Sequence, residues 1–184
     1  MKNILKALNP IDIEFVEARL MDFFEYGSNE KLYEFMRELL PHKNTVETYD
    51  YFSQLISREG VYVYPIFMNS DKVIGTVTLT QKNKERNIWI IGYASSPSFA
   101  GLPIIPLTVA AVIWIAFRKF GVRRLEGVCQ IDNLKSQDLL AGLGFHNEGT
   151  MRRFYKCVRE DIYLDAVSYS LFWDEFRLRD KFDT

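Results

Sequence analysis

The sequence predicts an α+β fold built on a sheet of mixed strand directions, and three observations carry that prediction. Up to about residue 58 apolar residues recur at helical spacing, and from Gly60 the period drops to two in β-branched and aromatic runs. After residue 120 a strand, a short helix and two more strands follow, so the order is neither strictly alternating nor all-β.

Each element has its own signal. Asn9-Pro10 offers an N-cap with proline at the first helical position, and Ile11, Phe15, Leu20, Phe23 and Phe24 continue a helix to about Tyr26. Gly27-Ser28-Asn29 breaks it. Leu32, Phe35, Met36, Leu39 and Leu40 mark a second helix ending before Pro41, and a third spans about Thr45 to Arg58. VYVYPIF and KVIGTVTLT, separated by a polar turn, read as a hairpin, and NIWIIGYA adds a third antiparallel strand. Next come an apolar helix to Phe120, a stop at Gly121, the strand RRLEGVCQI, a helix over about Leu134 to Ala141, and the strands GFHNEGTMRR and IYLDAVSYSLF. MKNILKAL reads as an edge strand. No linker, repeat or low-complexity segment interrupts the chain, so residues 1–184 form a single domain.

Composition narrows the function. With 48% hydrophobic residues the chain can bury a substantial core, and its 23 basic and 24 acidic residues leave a net charge of −1. No global field therefore argues for nucleic acid or an anionic membrane. Cys129 and Cys157 lack CxxC spacing, which fits a reducing compartment, and Met1 to Asn9 is too short and mixed for a signal peptide, so the expected location is cytoplasmic. Leu102 to Phe117 carries two prolines and ends in Arg118-Lys119, which makes it a buried core helix and not a membrane span. His42 and His146 have no partner at ligand spacing, so no metal site is expected. The motifs GxSxG, Walker A and GxGxxG do not occur.

The informative residues form an ordered series: IIGYASSPSFAG (Ile90 to Gly101), AFRKFGVRRLEGVCQIDNLKSQDLLAGLGFHNEGTMRR (Ala116 to Arg153) and YLDAVSYSLFWDEF (Tyr163 to Phe176). The series resembles the GNAT superfamily of acyl-CoA-dependent N-acyltransferases, most closely its ribosomal-protein-acetyltransferase-like branch. The matching positions include Ile91 to Ala94, Pro97, Gly101, Glu126, Asn133, Ser136, Gly144-Phe145, Glu148-Gly149, Arg152, Asp165, Tyr169 and Glu175. The likeness runs over roughly Val61 to Phe176.

That resemblance implies a GNAT-like fold: a central, mixed, mostly antiparallel sheet of about seven strands, with helix 105–120 on one face and the N-terminal helices on the other. It implies acetyl-CoA as acyl donor, with no metal cofactor. A primary amine, on a small molecule or a protein N-terminus, would attack the thioester directly; neither nucleic acid nor membrane is a partner, and a homodimer is compatible. Direct transfer needs orientation, amine deprotonation and carbonyl polarisation, and no covalent intermediate. Carried over, backbone groups of Ala94, Ser95 and Ser96 hold the pantetheine arm, and amides of Ala100, Gly101, Leu102, Ile104 and Ile105 hold the pyrophosphate at a helix N-terminus.

Read from the residues alone, Asn133 and Ser136 form a helix-capping arrangement; the resemblance instead puts Asn133 on the pantetheine arm and Ser136 near the leaving sulfur. Leu140 stands where many relatives have the tyrosine acid, leaving Ser136 or solvent to protonate the thiolate. Glu126 is the favoured general base, with Glu59, Asp50 and Tyr93 as other candidates. Core packing is the better reading for Tyr62, Tyr64, Trp89 and Tyr93, one of which could line an acceptor pocket. Arg152 and Arg153 shape the acceptor site or balance nearby acids.

The phosphate loop departs from the family pattern. Pro103 replaces a glycine and Ile105 a small residue, which deletes a donor and adds Cβ bulk. Losing one charge-assisted bond would weaken pyrophosphate binding by about 1–3 kcal/mol. A catalytically weak or inactive binding module on the same fold is the alternative reading.

Overall fold

The computed structural model describes residues 4–5, 8–69 and 71–183. Its N-terminal part contains α1 (Ile13–Ala18), α2 (Leu20–Gly27) and α3 (Thr45–Ile56), with a 3-10 turn at Glu30–Glu34 between the last two. The sheet strands are β1 (Val61–Met68), β2 (Lys72–Asn83), β3 (Ile88–Ser95), β4 (Arg124–Gln130), β5 (His146–Cys157) and β6 (Ile162–Leu171). Helix α4 (Ile104–Lys119) connects β3 to β4, α5 (Leu134–Leu143) connects β4 to β5, and a short α6 (Asp180–Asp183) follows β6.

The six strands run in the order β1-β2-β3-β4-β6-β5, and every neighbouring pair is antiparallel except β3 with β4. The architecture is thus the predicted α+β one with a mostly antiparallel mixed sheet. The count among the described residues is six where about seven were expected. The missing strand is the 1–8 edge segment, of which residues 1–3, 6 and 7 lie outside the described residues, while Ile4 and Leu5 are helical.

Two further expectations are corrected. The helix predicted from Asn9-Pro10 to Tyr26 is two helices that meet at Arg19, and the first starts at Ile13, where the Asp12 carboxylate accepts the Phe15 N–H at 2.8 Å. Residues 9–12 stay out of it because the Ile11 N–H donates to the Val63 carbonyl at 2.8 Å, which lays the segment against β1. The helix predicted over Leu32–Leu40 is only the 3-10 turn, followed by a non-helical strap to Asn44. Long-range bonds hold the strap. The Tyr33 hydroxyl and the His42 N–H both donate to the Gly27 carbonyl, and the Val158 N–H donates to the Arg37 carbonyl at 2.9 Å. Leu32 packs on the second core, but Phe35 is 38% and Leu40 53% exposed, so the apolar spacing that suggested a helix does not form one core-facing stripe.

The sheet separates two cores. Alternation in β1 sends Tyr64 and Ile66 to one side, where they pack with α4 and α5, and Val63 to the other, with α1 to α3. Helix α4 carries Val109, Ala110, Ala111, Val112 and Ile113 fully buried. At about 1.5–3 kcal/mol for each large buried apolar side chain, this helix anchors the fold. No helix among the described residues is long and apolar enough to cross a membrane. The second core is aromatic, centred on Phe23 and Phe52 with ring centroids 4.4 Å apart.

The sheet is interrupted in one place. β3 and β4 pair only from Ile88↔Arg124 to Ile91↔Gly127. Beyond that point β3 follows β2 through Gly92 to Ser95, and β4 follows β6 through Val128 to Gln130. The two strands part, and a gap opens between their C-terminal ends.

Candidate functional site

The gap collects the chemistry. Its β3 edge is Gly92 to Ser95, its β4 edge is Val128 to Gln130, and α5 begins at the end of the latter. The Ser96 N–H donates to the Ile74 carbonyl at 2.7 Å on the β2 side. Because backbone groups alternate along a strand, those of Ala94 share that direction, and those of Tyr93 and Ser95 turn toward the gap. Of the three backbone positions singled out in the sequence, Ser95 is the one so oriented.

Side chains bridge the gap. The Tyr93 hydroxyl lies 2.7 Å from Ser136 Oγ and donates to the Ser136 carbonyl at 3.2 Å. Burial pushes the Tyr93 phenol well above its usual range, with the Ser136 bond opposing in part, so the phenol keeps its proton. Burial also raises the Cys129 thiol, against a hydrogen bond with Ser136. Ser136 is thus bonded to the phenol on the β3 edge and capped by Asn133 at the end of β4. Asn133 caps α5 as its spacing predicted: its Oδ1 accepts the Ser136 N–H at 3.1 Å. The Asn133 Nδ2 hydrogens have no partner among the described residues. Leu140, 1% exposed, packs beneath Gly127, whose added Cβ would lie 3.1 Å from it. A tyrosine in that slot would have to displace core.

The loop after β3 ends in α4 as predicted, with Ile104 its first residue, Pro103 the cap and Pro106 in the first turn. The Ala100, Leu102 and Ile105 N–H groups donate inward, to the carbonyls of Pro97, Phe99 and Leu102. Those of Gly101 and Ile104 donate to nothing among the described residues. Gly101 sits at φ +86 with open space around its α-carbon, a conformation and a clearance that suit a large ligand against the backbone.

Glu126 lies outside the gap, in the paired part of β4 opposite Ile90. Its carboxylate accepts Lys82 Nζ at 2.6 Å and Arg124 Nε at 2.9 Å, and Arg124 continues to Glu148. Burial pushes the Glu126 carboxyl up, but the Lys82 and Arg124 bonds together outweigh it and hold it below the usual range. Glu59 pairs with Lys84 at 3.5 Å and Asp50 lies exposed on α3. Tyr62, Trp89 and Phe120 stack together, so these aromatics are core as expected.

Gln130, at the gap, and Glu38, on the strap, are not among the sequence candidates. Gln130, at the end of β4, is 2% exposed, and neither atom of its carboxamide head has a partner among the described residues. Glu38, on the strap, is raised by burial and acts electrostatically on Tyr51 and on Tyr155, whose hydroxyl reaches the Val128 carbonyl at 3.4 Å. Neither had a local signal: Gln130 matters through its burial, and Glu38 sits in a segment that read as a helix. No group of three or more His, Cys, Asp or Glu is placed to hold a metal ion among the described residues.

Comparison with known proteins places this geometry. Residues 13–146 match the acetyltransferase (GNAT) domain family. A GCN5-related N-acetyltransferase from Brucella melitensis superposes with a TM-score of 0.80 at 19% identity, covering 96% of this chain and 80% of that one. Spermidine N-acetyltransferase from Vibrio cholerae, solved with CoA and spermine, gives 0.76 at 14% identity, over 91% and 95% of the two chains. The ribosomal-protein-S5-alanine acetyltransferase from Vibrio fischeri gives 0.73 at 18%, over 92% and 94%. No curated protein matches the chain closely enough to count as a relative. At these identities the structural likenesses establish the fold.

Proposed function

The chain belongs to the GNAT acetyltransferase family, and from that premise we propose that it transfers an acyl group, in the first instance acetyl, from CoA directly to a primary amine bound at the β3–β4 gap. The observation that carries the proposal is the gap itself, crossed by the Tyr93–Ser136 hydrogen bond. The finer placement, in the ribosomal-protein-acetyltransferase-like branch, rests on the run Asn133, Ser136, Gly144-Phe145, Glu148-Gly149 and Arg152.

Acetyl-CoA, as substrate, supplies an activated carbonyl and a thiolate leaving group. The protein's residues supply the rest. The Ser95 N–H polarises the carbonyl from the β3 edge. Asn133 Nδ2 and the amides of Gly101 and Ile104 hold the pantetheine and pyrophosphate, with Ala94, Ser96, Ala100, Leu102 and Ile105 shaping the backbone around them. The amine lone pair attacks the thioester carbon, the C–S bond breaks, and the thiolate receives a proton. The Tyr93 and Ser136 hydroxyls, already hydrogen-bonded, donate to the sulfur as its charge develops and so replace the tyrosine absent at Leu140. Glu38 takes the amine's proton, because a carboxyl raised toward neutrality is a better base than one held down as Glu126 is. Glu126 positions β3 against β4 through its ion pairs.

Calorimetric titration with acetyl-CoA, joined to thiol release in the presence of a peptide N-terminus, a polyamine and an amino sugar, tests the proposal. Binding with release for at least one amine supports it. Absence of binding overturns it, and binding without release for any amine supports the binding-module alternative.

A further inference from the structure

Among the described residues, the carboxamide of Gln130 is the one buried side-chain head with no hydrogen-bond partner, at its nitrogen and its oxygen alike. An unpaired buried amide destabilises a fold, and a substrate that completes it offsets that loss. The sheet fixes which way the side chain points. Leu125 and Cys129 belong to the first core, with α4 and α5, so by alternation Glu126, Val128 and Gln130 face the side of α1 to α3. Three residues beyond the last β3–β4 pair, Ile91↔Gly127, the two strands reach Ala94 and Gln130. Ala94 packs on the second core, so these two side chains flank the gap on the same face.

That face decides what meets the carboxamide. In the transfer proposed above, Ser95 on the β3 edge takes the carbonyl oxygen, and the sulfur meets the hydroxyls of Tyr93 and Ser136 on the α5 side of the sheet. A thioester carbon is planar and its three substituents diverge, so the third, the acyl chain, runs toward the β4 edge and the opposite face. Gln130 stands there. The amine attacks across the plane and does not compete for that place. An acetyl methyl would leave the carboxamide unpaired. A carboxylate would satisfy only its N–H groups and bring a charge without a free counter-ion, because Arg37 of the strap is bound to Asp132 at 3.4 Å and Tyr155, whose hydroxyl reaches the Val128 carbonyl, lies in the field of Glu38. A hydroxyl both donates and accepts, as the carboxamide does.

Resting on the acyltransferase reading, we infer that Gln130 is a specificity residue for the acyl donor, and that the protein prefers a short acyl-CoA with a hydroxyl on the first or second carbon beyond the carbonyl to the alkyl acyl-CoA of the same size. The hydroxyl hydrogen donates to the carboxamide oxygen, and the hydroxyl oxygen accepts from the carboxamide nitrogen. The transfer itself is unchanged: the C–S bond breaks, the C–N bond forms, and the hydroxyl stays on the chain.

Calorimetry on two isosteric pairs of donors tests this: glycolyl-CoA against propionyl-CoA, and 3-hydroxypropionyl-CoA against butyryl-CoA, with malonyl-CoA as the charged comparison. In at least one pair the hydroxyl form should bind about tenfold tighter. With an amine that supports turnover, kcat/KM for thiol release should rank the donors in the same order. Gln130→Leu keeps the volume and removes the amide, so it should erase the preference, leave the affinity for CoA itself unchanged, and hold or raise Tm; Gln130→Met serves as a second variant. Equal affinity within both pairs, tightest binding by malonyl-CoA, or a preference that survives in Gln130→Leu overturns the inference. No hydroxyl preference in wild type, with Gln130→Leu raising the amine KM equally for acetyl- and propionyl-CoA, would put Gln130 against the acceptor and overturn it as well. Thiol release from acetyl-CoA without any hydroxyl preference would sink the inference and leave the acyltransferase reading standing. A hydroxyl preference in binding that is lost in Gln130→Leu, without transfer to any amine, would do the reverse.

Discussion

Replacing Tyr93 with phenylalanine removes one oxygen from the gap and leaves the ring in its packing. The lost bond is the 2.7 Å contact with Ser136 Oγ. A neutral hydrogen bond is worth about 1 kcal/mol of stability, so Tm should fall by roughly 2–4 °C. The effect on turnover should be larger, because the hydroxyl pair is needed most when charge develops on sulfur. A loss of about 1.4–2.8 kcal/mol of transition-state stabilisation lowers kcat by roughly 10- to 100-fold, with the CoA dissociation constant changed less than about twofold. Ser136→Ala should behave in the same way. If the two hydroxyls act as one relay, the double variant will be no slower than the slower single variant. Because burial holds the phenol protonated, wild-type kcat should show no alkaline loss from Tyr93 below the usual tyrosine range, near pH 10. Stopped-flow thiol release on the four proteins measures all of this. An unchanged kcat in Tyr93→Phe, or single losses that multiply in the double variant, would refute the relay.

Pro103→Gly adds a backbone donor between the free amides of Gly101 and Ile104 and should tighten CoA by up to about tenfold by calorimetry, offset in part by glycine's chain entropy. Glu126→Gln and Glu38→Gln should separate by pH. Glu126, depressed in the folded protein, contributes stability above the ordinary carboxylate range and loses it as pH falls through its folded value. Its glutamine variant should therefore be less stable by about 1–2 kcal/mol at pH 7 and match wild type once the pH lies below that folded value, with kcat/KM little changed. Glu38 is raised, so wild-type kcat/KM should fall on acidification at a higher pH than an ordinary carboxylate would give, and Glu38→Gln should remove that limb. A limb that persists in Glu38→Gln but vanishes in Glu126→Gln would reverse the two assignments.

What the sequence disclosed follows the range of the interactions involved. Strand periods, the α4 start with Pro106 in its first turn, and the Asn133 cap are set within a few residues, and all could be read locally. The strap could not, because bonds from Gly27 to His42 and from Arg37 to Val158 override a helical apolar spacing. The Tyr93–Ser136 contact joins residues 43 apart in sequence, so nothing local to either one signals the pair. For the adjacent Arg152 and Arg153 the sequence leaves open an acceptor-site role or a balance to nearby acids, and only the bulge opposite Asp165 puts both on one cavity.

The short parallel pairing of β3 with β4 has a mechanical consequence. The sheet is two three-stranded ribbons welded along a seam four residues long, with α4 as the covalent strut between them. Such a seam is the line along which the two ribbons can flex, and the diverging strand ends are its jaws, tied across by the Tyr93–Ser136 contact. A ligand that bonds to only one jaw leaves the seam loose, whereas one that spans Ser95 and Asn133 braces it. Rigidity of the whole sheet would then report occupancy, with backbone exchange at Gly92–Ser95 and Val128–Gln130 slowing together when both jaws are held.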